Sequence, residues 1–433
     1  MNSRQQVQRL LDFIDASPSP WHAVKTIEQQ LIPFGFCKLE ETAPWTLKAG
    51  GRYYVVRDDS SIILFVLGQK PLAETGFKII GAHTDSPGLR IKPHAATLID
   101  GYVRLGVEIY GGPILATFTD RDLSLAGRVS YKSGDGIKSA LLDFKKPLLR
   151  LPNLAIHMNR NVNEDGLKLN KQLELPLLLS ALAEQQLPPN YFSGLLEQVA
   201  GLRAEQILSW ELNVYDTQKG VFWGPDDEFY ADSQLDNLAS CHAGLMALLD
   251  EQVLEADSTL VCAFFDHEEI GSTSCKGADG SFLPDLLYRV ALAAGIQGED
   301  YQRSLSHSFM VSADMAHAYQ PNFPASYEPE HKVIMNKGPV IKINANRRYA
   351  SDSISEAMFA GWCEQAGVPF QKYSHHSDLP CGSTIGPMTS AQLGIRTVDV
   401  GNPMWAMHSL RESAGVIDHG YLIDALKCFF QHR

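Results

Sequence analysis

The stretch Thr259-Leu-Val-Cys-Ala-Phe-Phe-Asp266-His267-Glu268-Glu269-Ile270-Gly271-Ser272 decides how this chain is read. Its first seven residues are an unbroken apolar run of β-formers, short enough for a strand buried on both faces. Three acids and a histidine follow at once, then glycine. In an open parallel sheet, ligand chemistry gathers outside the carboxyl ends of the strands. Two adjacent carboxylates there suggest two tasks, one binding a metal and its neighbour moving protons. Taken alone, the same residues would be a solvated acidic turn, and the rest of the chain has to decide between the two readings.

Working outward, Phe77-Lys-Ile-Ile-Gly-Ala-His83-Thr84-Asp85-Ser86-Pro87-Gly88 is a second buried run that ends in polar residues. His83 and Asp85 are two apart, which puts them on one side of an extended segment. An imidazole on a metal commonly has a carboxylate beside it, as co-ligand or to fix its tautomer. In Asp232-Ser233-Gln234-Leu235-Asp236, Ser233 is a good N-cap for a helix through Leu249, with Leu238, Cys241 and Leu245 periodic behind it. Asp236 would then lie in the first turn, where the helix dipole favours a carboxylate; capping acid and metal ligand are both open. The run 306–317 carries β-formers into Asp314, and 395–400 into a Gly-Asn-Pro turn followed by His408.

The chain has 433 residues, 45% hydrophobic and 20% charged, enough for a large core and two domains. Helices are predicted at 4–15, 21–31, 351–366, 385–393 and 420–431, and strands at 53–57, 62–67 and 340–344. Between about 90 and 225 the texture changes. Short β-like runs at 97–105, 114–119, 123–131 and 154–157 are separated by Asp-Gly and Gly-Gly-Pro turns, with helical patterns at 174–184 and 195–208. The expected architecture is α/β: a central mixed sheet flanked by helices in residues 1–90 plus 229–433, with a β-rich domain inserted at 91–228. His157, at the end of one inserted run, reads on its own as structural.

A net charge of −13 offers no basic field for nucleic acid. No apolar stretch is long enough to span a bilayer, and the first residues lack the apolar core of a signal peptide, so a cytoplasmic protein is expected. The seven cysteines (37, 241, 262, 275, 363, 381 and 428) are scattered without a CxxC pair, which argues against a disulfide framework and a thiolate zinc site.

The polar strand ends collect His83, Asp85, Asp236, Glu268, Glu269, Asp314 and His408. Two imidazoles with three carboxylates suit a pair of zinc-like ions, and cobalt or manganese fit the same donors. One aspartate must bridge, because two cations about 3.5–4 Å apart need shared negative charge. A spare carboxylate can then take the proton of the attacking water and pass it to a leaving amine.

The motifs GAHTDSP, SQLDNL, FFDHEEIGS, SADMAHA, KGPVIKINANRRYAS, DLPCGSTIGP and AMHSLRE, in this order along the chain, together resemble the M18 family of metallo-aminopeptidases, the aspartyl aminopeptidase group. The resemblance implies two Zn2+ per subunit, one held by His83, Asp236 and Asp314 and the other by bridging Asp236, Glu269 and His408. It implies Glu268 as general base and Asp85 as the acid that orients His83. It also implies that His157, on an inserted dimerisation domain, reaches a neighbouring subunit's active site, in a dodecamer built from dimers. The implied substrates are peptides with N-terminal Asp or Glu. A buried carboxylate needs a fixed cation; Lys337 resembles the lysine assigned that role, with Arg347 and Arg348 as other candidates. His375 and His376, where relatives carry other residues, have no assigned role. Rival readings are a deacylase of N-acyl amino acids and a non-catalytic assembly protein on the same scaffold.

Overall fold

The computed structural model describes residues 2–183 and 186–432. They form two compact units: one made of the residues up to 85, 220–407 and those from 412 on, the other of 86–219 with 408–411.

The first unit is built on a nine-stranded sheet. Its strands are β1 (Cys37–Lys38), β2 (Arg52–Arg57), β3 (Ser61–Val66), β4 (Phe77–His83), β5 (Thr259–Phe265), β6 (Phe309–Ala313), β7 (Val340–Ile343), β8 (Gln371–Ser374) and β9 (Arg396–Gly401). Their spatial order is β1-β2-β3-β5-β4-β6-β9-β7-β8. The central strands β5, β4, β6 and β9 run parallel, while β3 and β7 join them antiparallel, so the sheet is mixed. Alternate side chains feed two apolar layers, as the two-residue period of a strand requires. Leu260, Cys262 and Phe264 of β5 enter one core with the helices Ser3–Asp15, Leu235–Leu248 and Val416–Gln431. Val261, Ala263 and Phe265 enter the other with Phe282–Ala293. Burial on both faces is why these strands read as continuous apolar runs. A five-stranded sheet completes the unit, in the order Val221–Trp223, Phe229–Asp232, Glu412–Gly415, Pro403–Trp405 and Ala316–His317.

The second unit is a six-stranded antiparallel sheet, in the order Gly136–Asp143, Leu123–Ser133, Ile207–Asp216, Gly88–Ile99, Tyr102–Tyr110 and Leu177–Ala181. Leu89, Leu105, Leu125, Leu212 and, from the helix Tyr191–Ala200, Leu196 form its core.

The structure departs from several local expectations. The segment 174–184 is not a helix: Leu177–Ala181 pairs as an edge strand with Tyr102–Tyr110, and Glu184 lies outside the described residues. The open sheet edge decides the choice, because it offers the backbone of Leu177–Ala181 pairing partners. The helix expected at 195–208 ends at Ala200, where Gly201 takes the left-handed conformation, and 207 already belongs to a strand. The run 114–119 folds as a 3-10 turn over Leu115–Phe118, its threonine hydroxyls bonded to the carbonyls of Ile114 and Ala116. Residues 154–157 form no strand. Ser233 is not the helix cap: the helix begins after left-handed Gln234, and Asp236 and Asn237 have non-helical backbone angles. No described helix is long and apolar enough to cross a membrane.

Candidate metal centre

Parallel pairing brings the polar strand ends together. Phe265 of β5 lies opposite His83 of β4, so the 266–269 turn follows beside the imidazole. Asp314 follows β6, its amide donating to the Val400 carbonyl at 2.9 Å. Gly401 permits that approach, since a Cβ there would stand 1.8 Å from the Asp314 carbonyl oxygen. Asp236 reaches the same place from the irregular start of its helix. There its amide donates to Glu412 at 3.0 Å, and the neighbouring Asn237 side chain donates to the Ala313 carbonyl at 2.9 Å.

His83 is the centre of the cluster and is fully buried. Its Nδ1 lies 3.0 Å from the Asp85 carbonyl and 3.4 Å from the Asp85 carboxylate. Its Nε2 faces Asp236 at 3.5 Å and Asp314 at 3.6 Å. Asp85, also buried, accepts the amides of Glu268 and Glu269, each at 3.1 Å. One carboxylate therefore orients the histidine and fixes the two-glutamate turn. His267 starts that turn in the left-handed region, φ 68°, which lets the chain reverse directly from the strand.

The electrostatics are those of a site short of positive charge. Burial disfavours the charged imidazole, yet Asp236, Asp314, Asp85 and Glu268 together push the His83 pKa well above its ordinary value. Burial, aided by Asp314, Glu269 and Asp85 and opposed by His83, raises Glu268 to about 9. His83, Asp236 and Asp314 offer ligand atoms within 4.8 Å of one another, as do His83, Glu268 and Glu269. Buried, converging oxygen and nitrogen donors with excess negative charge fit a divalent cation.

His408 belongs to the short segment grouped with the second unit, where its Nδ1 lies 3.1 Å from the Gly112 carbonyl. His157 sits in an exposed turn of that unit. Lys337 is exposed in the turn before β7. Sequence reasoning passed over a different cation, Lys342. It is buried on β7, with its Nζ 3.7 Å from Asp314, 3.2 Å from the Met315 carbonyl and 5.2 Å from the centre of the Tyr349 ring. A lysine inside Val-Ile-Lys-Ile was the available signal.

A carboxylate-rich cluster that could hold a divalent metal, at the strand ends of a mixed α/β sheet, defines the class. The family model described as aminopeptidase I zinc metalloprotease (M18) matches residues 13–430. The probable M18 family aminopeptidase 2 of Ectopseudomonas mendocina is 47% identical over 98% of this chain and 97% of its own length. Among solved structures, the cryo-EM complex of Ape4 and Nbr1 is similar with a TM-score of 0.95 and 38% identity, covering 99% of this chain and 86% of that one. The S. cerevisiae mApe1 dodecamer is similar with a TM-score of 0.87 and 28% identity, covering 100% and 98%. The chain thus belongs to the M18 family and is a zinc-dependent aminopeptidase.

Proposed function

We propose that this aminopeptidase removes N-terminal residues, acidic ones preferentially, at a two-zinc centre. His83, Asp236 and Asp314 would hold one ion; Asp236, Glu269 and His408 would hold the other. The observation that carries the reading is the convergence of Asp236 and Asp314 on the outer nitrogen of His83, beside the fixed Glu268–Glu269 pair. Zinc, when bound, supplies Lewis acidity to the attacking water and the scissile carbonyl. Glu268 takes the water's proton and delivers it to the leaving amine. Asp85 holds both the His83 ring and the Glu268 amide in place.

For the acidic preference, Lys342 offers a buried positive charge beside Asp314, and Lys337 a second, exposed one. We further propose that His157 contacts substrate in a neighbouring copy within a homo-oligomer, a dodecamer built from dimers. The similar mApe1 is a dodecamer. Peptide substrates and a cytoplasmic site of action complete the reading.

The test is hydrolysis of Asp-, Glu-, Leu- and Lys-arylamides by zinc-loaded and chelated protein. Cleavage of the acidic pair, lost with chelator and restored by zinc, is the expected result. Faster cleavage of Leu or Lys would retain the metal centre and remove the acidic preference. Turnover of N-acylated substrates instead would favour a deacylase.

A further inference from the structure

Glu412, the last residue of the AMHSLRE motif, has no part in the proposed chemistry, yet it is only 2% exposed. Burying a carboxylate is costly unless its oxygens are engaged. One of them accepts the backbone amide of Asp236 at 3.0 Å, across 176 residues of chain.

That amide needs an acceptor from elsewhere. Asp236 stands in the first turn of the helix Leu235–Leu248, where N–H groups lack partners within the helix. Gln234, ahead of the helix, makes no side-chain cap, and Asp236 and Asn237 depart from helical geometry (φ −83°, ψ 100° and φ −130°, ψ 24°). The local sequence therefore does not fix Asp236, and its buried amide would be orphaned without outside help. Glu412 supplies that help, and the helix dipole favours a carboxylate at this end.

The sheet sets the reach. Glu412 begins the strand Glu412–Gly415, directly opposite Asp232, the last residue of Phe229–Asp232. From there its side chain has to pass residues 233 and 234 to meet an amide four residues beyond its strand partner. Length therefore matters as much as charge. On the other side, the Asn237 side chain donates to the carbonyl of Ala313, the residue before Asp314, at 2.9 Å. The backbone that carries Asp236 is thus tied at two points, and its carboxylate joins that of Asp314 on the outer nitrogen of His83.

We propose that Glu412 is a positioning residue for the zinc centre. By holding the Asp236 amide it places the carboxylate that the two ions share. Groups that hold a ligand from behind are worth about 10- to 100-fold in metal affinity or activity. This rests on the two-zinc reading above, in which Asp236 is the bridge.

The experiment titrates zinc-loaded wild type, Glu412→Gln, Glu412→Asp and Asp236→Ala with a chromophoric chelator and follows turnover as zinc is raised. Glu412→Gln keeps the reach and an acceptor oxygen and loses the charge; it is expected to hold zinc as wild type does. Glu412→Asp keeps the charge and loses the reach; it is expected to hold zinc about 10- to 100-fold more weakly. The turnover it lacks at limiting zinc should return at high zinc. Wild-type affinity in Glu412→Asp would overturn the proposal, because the amide bond would then set nothing. Equal weakening in Glu412→Gln would overturn it too, because charge and not reach would be responsible. So would a turnover loss in Glu412→Asp that zinc does not restore, which marks a damaged fold. Asp236→Ala is expected to lose zinc whatever Glu412 does. If it held zinc as wild type does, the two-zinc reading itself would fall.

Discussion

At the scale of single residues, the sharpest expectation concerns Glu268. It is held by its own backbone amide on Asp85, so its carboxylate can be altered without disturbing the turn. Glu268→Gln keeps size and shape and removes the proton acceptor. We expect kcat to fall by about 10²- to 10⁴-fold, the usual worth of a general base, with zinc content unchanged. Metal analysis of the purified variant beside steady-state kinetics decides it; a variant retaining most of its rate would remove Glu268 from the proton-transfer role. Asp85, Glu268, Glu269 and Asp314 were legible in the sequence because they follow apolar runs, where a charged residue collects at the strand end, whereas Asp236, at a helix start, read equally well as a capping acid. Lys342 was not, because a lysine inside a strand reads as a solvent-facing alternate, whereas here the Tyr349 ring and the Met315 carbonyl lie against it and it is buried.

At the scale of elements, the turn after β5 is held from behind by an ion pair that touches no proposed ligand. Asp266, fully buried, accepts the His267 amide at 2.8 Å and lies 3.0 Å from Lys276. Lys276 is buried as well, 2.9 Å from Asp58 and 2.8 Å from the Ser60 hydroxyl. Removing one partner of such a pair strands the other charge, at a cost of about 3–5 kcal/mol, whereas removing both charges is far milder. Lys276→Met is therefore expected to lower the melting temperature markedly, and Asp266→Asn combined with Lys276→Met to recover most of the loss. Melting curves of the three proteins suffice; a double variant as unstable as the single one would mean that packing, not stranded charge, sets the cost. The strands of this unit were readable because burial on both faces makes them uniformly apolar. Where one face is exposed or an edge is open, as at 177–181, the apolar pattern loses its period and a strand there reads like a helix.

At the scale of the whole molecule, the second unit leaves large apolar side chains in water: Ile137 is 72% exposed, Leu154 68%, Met158 76% and Leu173 66%. His157 sits among the last three in sequence, in an exposed turn. Where such groups lie contiguously they mark a surface that meets another molecule, and a second copy of the chain is the partner proposed here. The sequence signalled that 91–228 differs in texture, but not what its apolar surface meets, because a run such as Leu154-Ala-Ile-His157 looks the same whether it is buried in a strand or presented to a neighbour. Complementation separates these cases. His157→Ala and Glu268→Gln chains are each expected to be nearly inactive alone. If His157 serves a neighbour's centre, co-expressed chains of the two kinds form mixed assemblies in which a Glu268→Gln chain lends its His157 to an intact centre on a His157→Ala chain. Activity should then reappear in fractions that sedimentation shows to be oligomeric. Assemblies that mix but stay inactive would confine His157 to its own chain, and a monomer by sedimentation would remove the shared site altogether.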